Sequence, residues 1–224
     1  MFQSKRETIY LILAGIFITN AVVAELIGGK LITIGNTVMS IGILPWPVVF
    51  LTTDLINEYF GREGVRKLSF ITSGLIAYCF FVLYIALNIP SAAGFNTVND
   101  EQFTAVFGQS MWIIVGSITA FLVSQLIDIA IFHFFKKKTG NRMIWLRATG
   151  STVISQFFDS FIVLGIAFWL TGKMDTATYI QSGLAGYFVK LIIAIVLTPL
   201  IYVGHGWIKK YIEPVKEQDN QSPV

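Results

Sequence analysis

Apolar residues run along this chain in six long windows, at about 9–27, 41–59, 68–89, 111–135, 149–170 and 183–208. A helix needs about 20 residues to cross the hydrocarbon core, and each window is long enough. The fold expected is therefore an all-α integral membrane protein of six transmembrane helices. No cleavage-site pattern follows the first window, which reads as a retained helix and not a signal peptide. Between the first two windows, Lys30 to Ile41 places two β-prone runs around Gly35-Asn36. That is a hairpin signal, and it predicts a short external β-hairpin. Pro45 and Pro47 open the second window, where a missing N–H is tolerated. Residues 90–110 form a polar, slightly acidic external loop. Residues 1–212 read as one six-helix domain and 213–224 as a polar, disordered cytoplasmic tail.

Composition agrees with that pattern. The chain has 224 residues, 54% hydrophobic and only 13% charged, with a mean hydropathy of +0.69. No soluble domain of this size hides so much apolar surface. Charge then orients the helices. Thirteen of the sixteen basic residues fall at the amino terminus, in the loops after the second and fourth windows, or in the carboxyl tail. Lys30 and Lys173 fall on the other side, and Lys190 lies inside the sixth window. The positive-inside rule makes both termini cytoplasmic. The net charge of +3 reflects topology, and no nucleic-acid partner is expected. Cys79 stands alone, so no internal disulfide forms, and it reads as packing. His133 and His205 are too few for a metal site.

Polar residues inside the windows carry the functional signal. The cassette Ser124-Gln125-Leu-Ile-Asp128 recurs as Ser155-Gln156-Phe-Phe-Asp159. An ionised Asp at the centre of a spanning helix costs about 2.5–3.5 kcal/mol on insertion scales, which makes it a functional suspect. Ser and Asp are spaced i, i+4 and Gln and Asp i, i+3, so each trio shares one helical face. Ser117 extends that face. Both aspartates fall roughly 10–15 Å from the cytoplasmic end at 1.5 Å per residue, so the cassettes face each other at similar depth. The alternative is that Ser and Gln only join helices, at about 0.6 kcal/mol per bond.

The second window ends in Thr52-Thr53-Asp54-Leu-Ile-Asn57-Glu58. Asp54 and Glu58 are a like-charge i, i+4 pair, which persists where a cation, a proton or a donor-rich ligand bridges it. Glu58 has a blander option, an ion pair with Arg62. Lys190 needs an anionic partner, with Asp159 or Asp128 available. Asn20, mid-way along the first window, is either helix glue or a ligand contact. Enzyme signatures are missing, with no nucleophile elbow, phosphate loop, His-Glu-x-x-His or Cys-x-x-Cys, so neither catalysis nor a cofactor is expected.

Several segments taken together resemble a known family. They are Thr53-Asp54-Leu-Ile-Asn57-Glu58-Tyr-Phe-Gly61, the join from Trp145-Leu-Arg147 to Ser151-Thr152, the paired Ser-Gln-x-x-Asp cassettes, and Tyr187-Phe-Val-Lys190. They are similar to the queuosine precursor transporter family, also called vitamin-uptake-transporter-like. The resemblance runs from about Asn20 to Tyr202, with one departure at Ala148, where an Asn is expected. It implies a six-helix importer of 7-cyano-7-deazaguanine or 7-aminomethyl-7-deazaguanine in the bacterial inner membrane. A guanine-like edge offers N1–H and a 2-amino group side by side, which a carboxylate accepts bidentately, while Gln amides serve its carbonyl. Phe157, Phe158 and Tyr187 are the rings expected to stack on it. Asn20, Asp54, Asn57, Glu58, Ser124, Gln125, Asp128, Ser155, Gln156, Asp159 and Lys190 are the candidate substrate-binding residues. The partners expected are a small deazapurine base and membrane lipid, with room for a homo-oligomer. Two rivals stand beside this reading. One is a substrate-capture subunit of an ATP-driven vitamin importer; the other is a structural or assembly protein whose carboxylates only pair helices.

Overall fold

The computed structural model describes residues 4–34, 37–92, 98–108, 111–140 and 142–212. In chain order these form α1 (Lys5–Ile27), strands β1 (Leu31–Ile34) and β2 (Thr37–Ser40), α2 (Trp46–Leu87), α3 (Asp100–Phe107), α4 (Met111–Thr139), α5 (Ile144–Leu164) and α6 (Thr176–Ile212). A π-helical segment, Gly165–Trp169, continues α5. β1 and β2 pair antiparallel, with Leu31 opposite Ser40 and Ile34 opposite Thr37. The Gly35-Asn36 turn and the 213–224 tail expected from the sequence lie outside the described residues.

Four helical runs are long and apolar enough to cross a membrane: Lys5–Ile27, Ile41–Leu87, Asp100–Thr139 and Ile144–Trp169. The pair Thr176–Ile193 and Thr198–Tyr211, bent by 44°, makes a fifth. Pro199 stands at the start of the second segment, where a proline removes a helix hydrogen bond and crowds the preceding turn. The chain is thus an all-α, multi-pass membrane protein. Its burial pattern agrees, for many large apolar side chains are exposed (Trp207 is 80% exposed) while α5 buries Arg147, Ser151, Thr152, Ser155, Gln156, Asp159 and Ser160.

The structure departs from the expected loops at two places. Residues 90–110 contain α3, whose start is fixed by a capping box. The Asn99 side chain accepts from the Gln102 backbone, and the Gln102 side chain accepts from the backbone of Asn99. The second and third windows meet without a loop, as two arms of α2 abutting at Gly61. Gly61 sits at φ 75, ψ −179, a region that essentially only glycine occupies. Arg62, Arg66 and Lys67 lie exposed on the first turns of the second arm. Both arms pack on one core with α1: Val49, Leu55 and Ile56 from the first, Val65, Leu68 and Ile76 from the second, around Phe17 and Ala21. Replacing Gly61 by Ala is expected to destabilise the joint by about 1–3 kcal/mol. Gly74→Ala, at a position with open space around its Cβ, should be neutral or mildly stabilising. Melting of the two variants in detergent compares them, and equal melting temperatures would refute the strained joint.

Close approach of α4 and α5 sets up the site. A Cβ on Gly116 would lie 3.2 Å from the carbonyl oxygen of Val163, and one on Gly150 would lie 2.9 Å from the Phe135 ring. Small residues at a membrane helix seam let backbones approach in this way.

Candidate functional site

Because α4 and α5 pack antiparallel, the first residue of one cassette meets the last of the other. Ser124 Oγ donates to Asp159 Oδ1 at 3.3 Å, and Ser155 Oγ donates to Asp128 Oδ1 at 3.2 Å. The repeat seen in the sequence is therefore a reciprocal pair of cross-helix hydrogen bonds. All six cassette residues are buried.

Charge is distributed around these bonds in layers. Lys190 of α6 pairs with Asp159, one of the two partners its position allowed. Further along α4, the Ser117 hydroxyl donates to Glu25 of α1, and Asp159 and Lys190 are the charged groups that bear on Glu25. At the opposite, basic end, Glu58 Oε2 accepts from Lys136 Nζ at 3.2 Å and forms an ion pair with Arg147, whose Nη2 lies 2.8 Å away. Arg147 is 0% exposed. The structure thus partners Glu58 with α4 and α5, and Arg147, counted in the sequence among the loop charges, is buried.

Between these ionic layers lies a polar set of a different kind. Asp54, Asn57, Gln125 and Gln156 are all buried. Among the described residues, Asp54 Oδ1, both amide atoms of Asn57, Gln125 Oε1 and Gln156 Oε1 have no hydrogen-bond partner, and neither does Ser160 Oγ. Asp128 is the charge that bears on Asp54, yet no ion pair among the described residues reaches either carboxylate. Buried polar groups are normally satisfied, and leaving one unsatisfied costs about 1–3 kcal/mol. An acceptor-rich set of this kind is suited to a donor-rich ligand.

Asp54 also lines a cavity of about 20 Å³ with Phe50, Leu51, Ala148, Thr149 and Thr152. Pockets for small ligands run to about 300–1,000 Å³, so this cavity beside Asp54 is too small to hold one. The rings differ from those expected. Phe157 and Phe158 are about two-fifths exposed on the outer face, with Phe157 edge-on to Tyr187. Phe50, stacked on Trp46, is the ring beside Asp54. Asn20 stands apart from the cluster in its bonding, its amide nitrogen donating to the Ile16 carbonyl of its own helix at 2.8 Å. The sequence reading missed Glu25, which no motif surrounds, and gave Ser160 no role, though both sit on inward faces at helical spacing from Ala21 and Gln156.

The family described as "Putative vitamin uptake transporter" matches residues 40–204, which hold every one of these groups except Asn20 and Glu25. The chain belongs to this family. A "Probable queuosine precursor transporter" of Bacillus subtilis (strain 168) is 25% identical over 176 residues, covering 78% of this chain and 75% of the relative. A protein of the same description from Haemophilus influenzae is 28% identical over 157 residues, 70% of this chain and 63% of the relative. No solved structure matches. The protein is accordingly a membrane transporter and not an enzyme.

Proposed function

We propose that the chain imports a 7-deazaguanine queuosine precursor, 7-cyano-7-deazaguanine or its aminomethyl relative, across the bacterial inner membrane. The observation that carries this reading is the buried, unpartnered set of Asp54, Asn57, Gln125 and Gln156 beside Asp128. Its acceptor oxygens suit the N1–H and 2-amino edge, and the Asn57 amide nitrogen suits a ring carbonyl. The names borne by the two relatives point to the same solute class. Ser124 and Ser155 hold the two cassette aspartates in place, and Asp159 is engaged by Lys190.

The topology that goes with this function has six spans, both termini cytoplasmic, and the β1–β2 pair external. A straight helix of the length of α2 would measure about 63 Å, twice the hydrocarbon thickness, so the Gly61 joint divides it into two spans. Residues 1–212 then act as one transporter domain, and 213–224 as its cytoplasmic tail.

Two measurements test the function. Purified protein should be stabilised against melting by 7-cyano-7-deazaguanine and not by a panel of vitamins. Cells unable to make the precursor should regain its uptake on expressing this chain alone. Binding without uptake would turn the reading toward a substrate-capture subunit that needs an ATP-driven partner. Absence of binding would turn it toward a structural protein.

A further inference from the structure

We propose that Glu58, Arg147 and Lys136 form the barrier that closes the substrate path on the cytoplasmic side, and that release requires this triad to come apart. The inference rests on the transporter topology above, but not on which solute is carried.

The triad draws one member from each helix that bears an unpartnered or carboxylate group of the site. Glu58 stands one turn beyond Asp54 on α2, and Lys136 two turns beyond Asp128 on α4. Arg147 stands one turn before Ser151 and two before Ser155 on α5. All three are displaced from the site toward the same, basic end. Arg147 also adjoins Ala148 and Thr149, which line the small cavity with Asp54. The contacts are multiple: Nη2 to Glu58, Nη1 to the Gly140 carbonyl that closes α4, and the guanidinium over the Phe132 ring at 5.8 Å. Lys136 Nζ reaches both Glu58 Oε2 and the Glu58 backbone carbonyl, at 3.2 and 3.1 Å.

Stability alone is a weak reason for such an arrangement. Replacing a buried ion pair by well-packed apolar side chains is often neutral or favourable. Separable charges, by contrast, serve a contact that must open and re-form. The layer has an edge from which water can take over as it parts, since the Glu58 and Lys136 side chains remain 14% and 28% exposed. A joint is also at hand. Gly61, three residues after Glu58, breaks α2 at a positive φ, so the arm carrying Asp54 and Glu58 is not one continuous helix with the arm that follows. Transporters commonly alternate access by such rocking of one group of helices against another around a fixed site.

The test uses a single cysteine at Thr152, a cavity-lining position, in a Cys79→Ser background, labelled with a membrane-impermeant maleimide. Right-side-out and inside-out vesicles report the two faces separately. Glu58→Gln should raise the labelling rate from the cytoplasmic face at least tenfold. Lys136→Met, at the wetter edge of the triad and least prone to misfold, should raise it severalfold. The exchange Glu58→Lys with Arg147→Glu, made together with Lys136→Met so that no second ammonium faces position 58, restores one pair of opposite charges and should bring the rate back to that of Lys136→Met alone. Unchanged cytoplasmic labelling in both single variants, with melting curves showing folded protein, would overturn the barrier. A rise confined to the external face would overturn the cytoplasmic assignment, and with it the topology, while leaving the solute unaffected.

Discussion

Asp128→Asn should abolish net uptake while leaving the protein folded, and Asp159→Asn should instead unfold it readily. The two aspartates occupy equivalent cassette positions, yet their surroundings differ. Asp128 receives a hydroxyl from Ser155, which an Asn oxygen can also accept, and no ion pair among the described residues engages it. Removing its charge beside Asp54 should leave stability unchanged or slightly higher. Recognition suffers, because Asn presents one acceptor oxygen where a bidentate donor edge needs two. A hydrogen bond to a charged group contributes about 1.5–3 kcal/mol, or about ten- to a hundredfold in affinity. Asp159 is the partner of Lys190, whose side chain is 17% exposed. Its replacement strands an ammonium inside the bundle, and breaking one side of a buried pair costs on the order of 3 kcal/mol. Adding Lys190→Met should recover most of that loss. Uptake and detergent melting, measured on the same preparations, separate the cases. Normal transport by Asp128→Asn would reduce the cassette to helix glue, and a parent-like melting temperature for Asp159→Asn would remove the structural role of the lysine pair.

The difference between those aspartates marks how far the sequence could be read. That α4 and α5 would oppose their cassettes at one depth followed from helix rise and topology alone, and the Ser–Asp cross bonds realise it. The stripe along α5 was legible too, because Ser155, Gln156 and Asp159 repeat at helical spacing within an apolar run. What pairs with what was not legible. Arg147 lies at a window edge, where composition cannot separate a headgroup-facing charge from a buried one, and its burial depends on Glu58 of another helix. Glu58 itself had Arg62 within one turn, so local spacing offered an answer that the long-range partners Lys136 and Arg147 displace. Phe157 and Phe158 sit inside the second cassette, but at positions rotated away from its polar face, so closeness in sequence put them on the outer surface. The Gly61 joint was hidden because a single glycine among charged residues reads as loop, whereas its backbone angles let two helices abut directly.

The choice of base should be sharp. On Asp54, Asn57, Gln125 and Gln156 the unpartnered atoms are four acceptor oxygens, Asp54 Oδ1, Gln125 Oε1, Gln156 Oε1 and Asn57 Oδ1, beside one donor, the Asn57 amide nitrogen. A deazaguanine brings N1–H and a 2-amino group to such a set. Adenine turns an acceptor nitrogen toward it, hypoxanthine lacks the amino group, and uracil flanks its N3–H with two carbonyls. Each of these leaves at least one buried acceptor desolvated and unpaired. Sites built around such hydrogen bonds reject the deficient analogue by about 10⁴–10⁵, far beyond what a missing methylene costs in an apolar pocket. Adenine, hypoxanthine and uracil should therefore compete poorly, even in large excess, against radiolabelled 7-cyano-7-deazaguanine in cells unable to make it. Plain guanine presents the same edge and tests the rest of the pocket, since discrimination against it would have to come from contacts to the position-7 substituent. In purified Asp128→Asn protein, compared by the melting shift each base produces, the preference over adenine should narrow, because one of the two neighbouring carboxylates, Asp54 and Asp128, is gone. Adenine competing as well as the deazaguanine in the parent protein would sink the carboxylate-edge reading of this site.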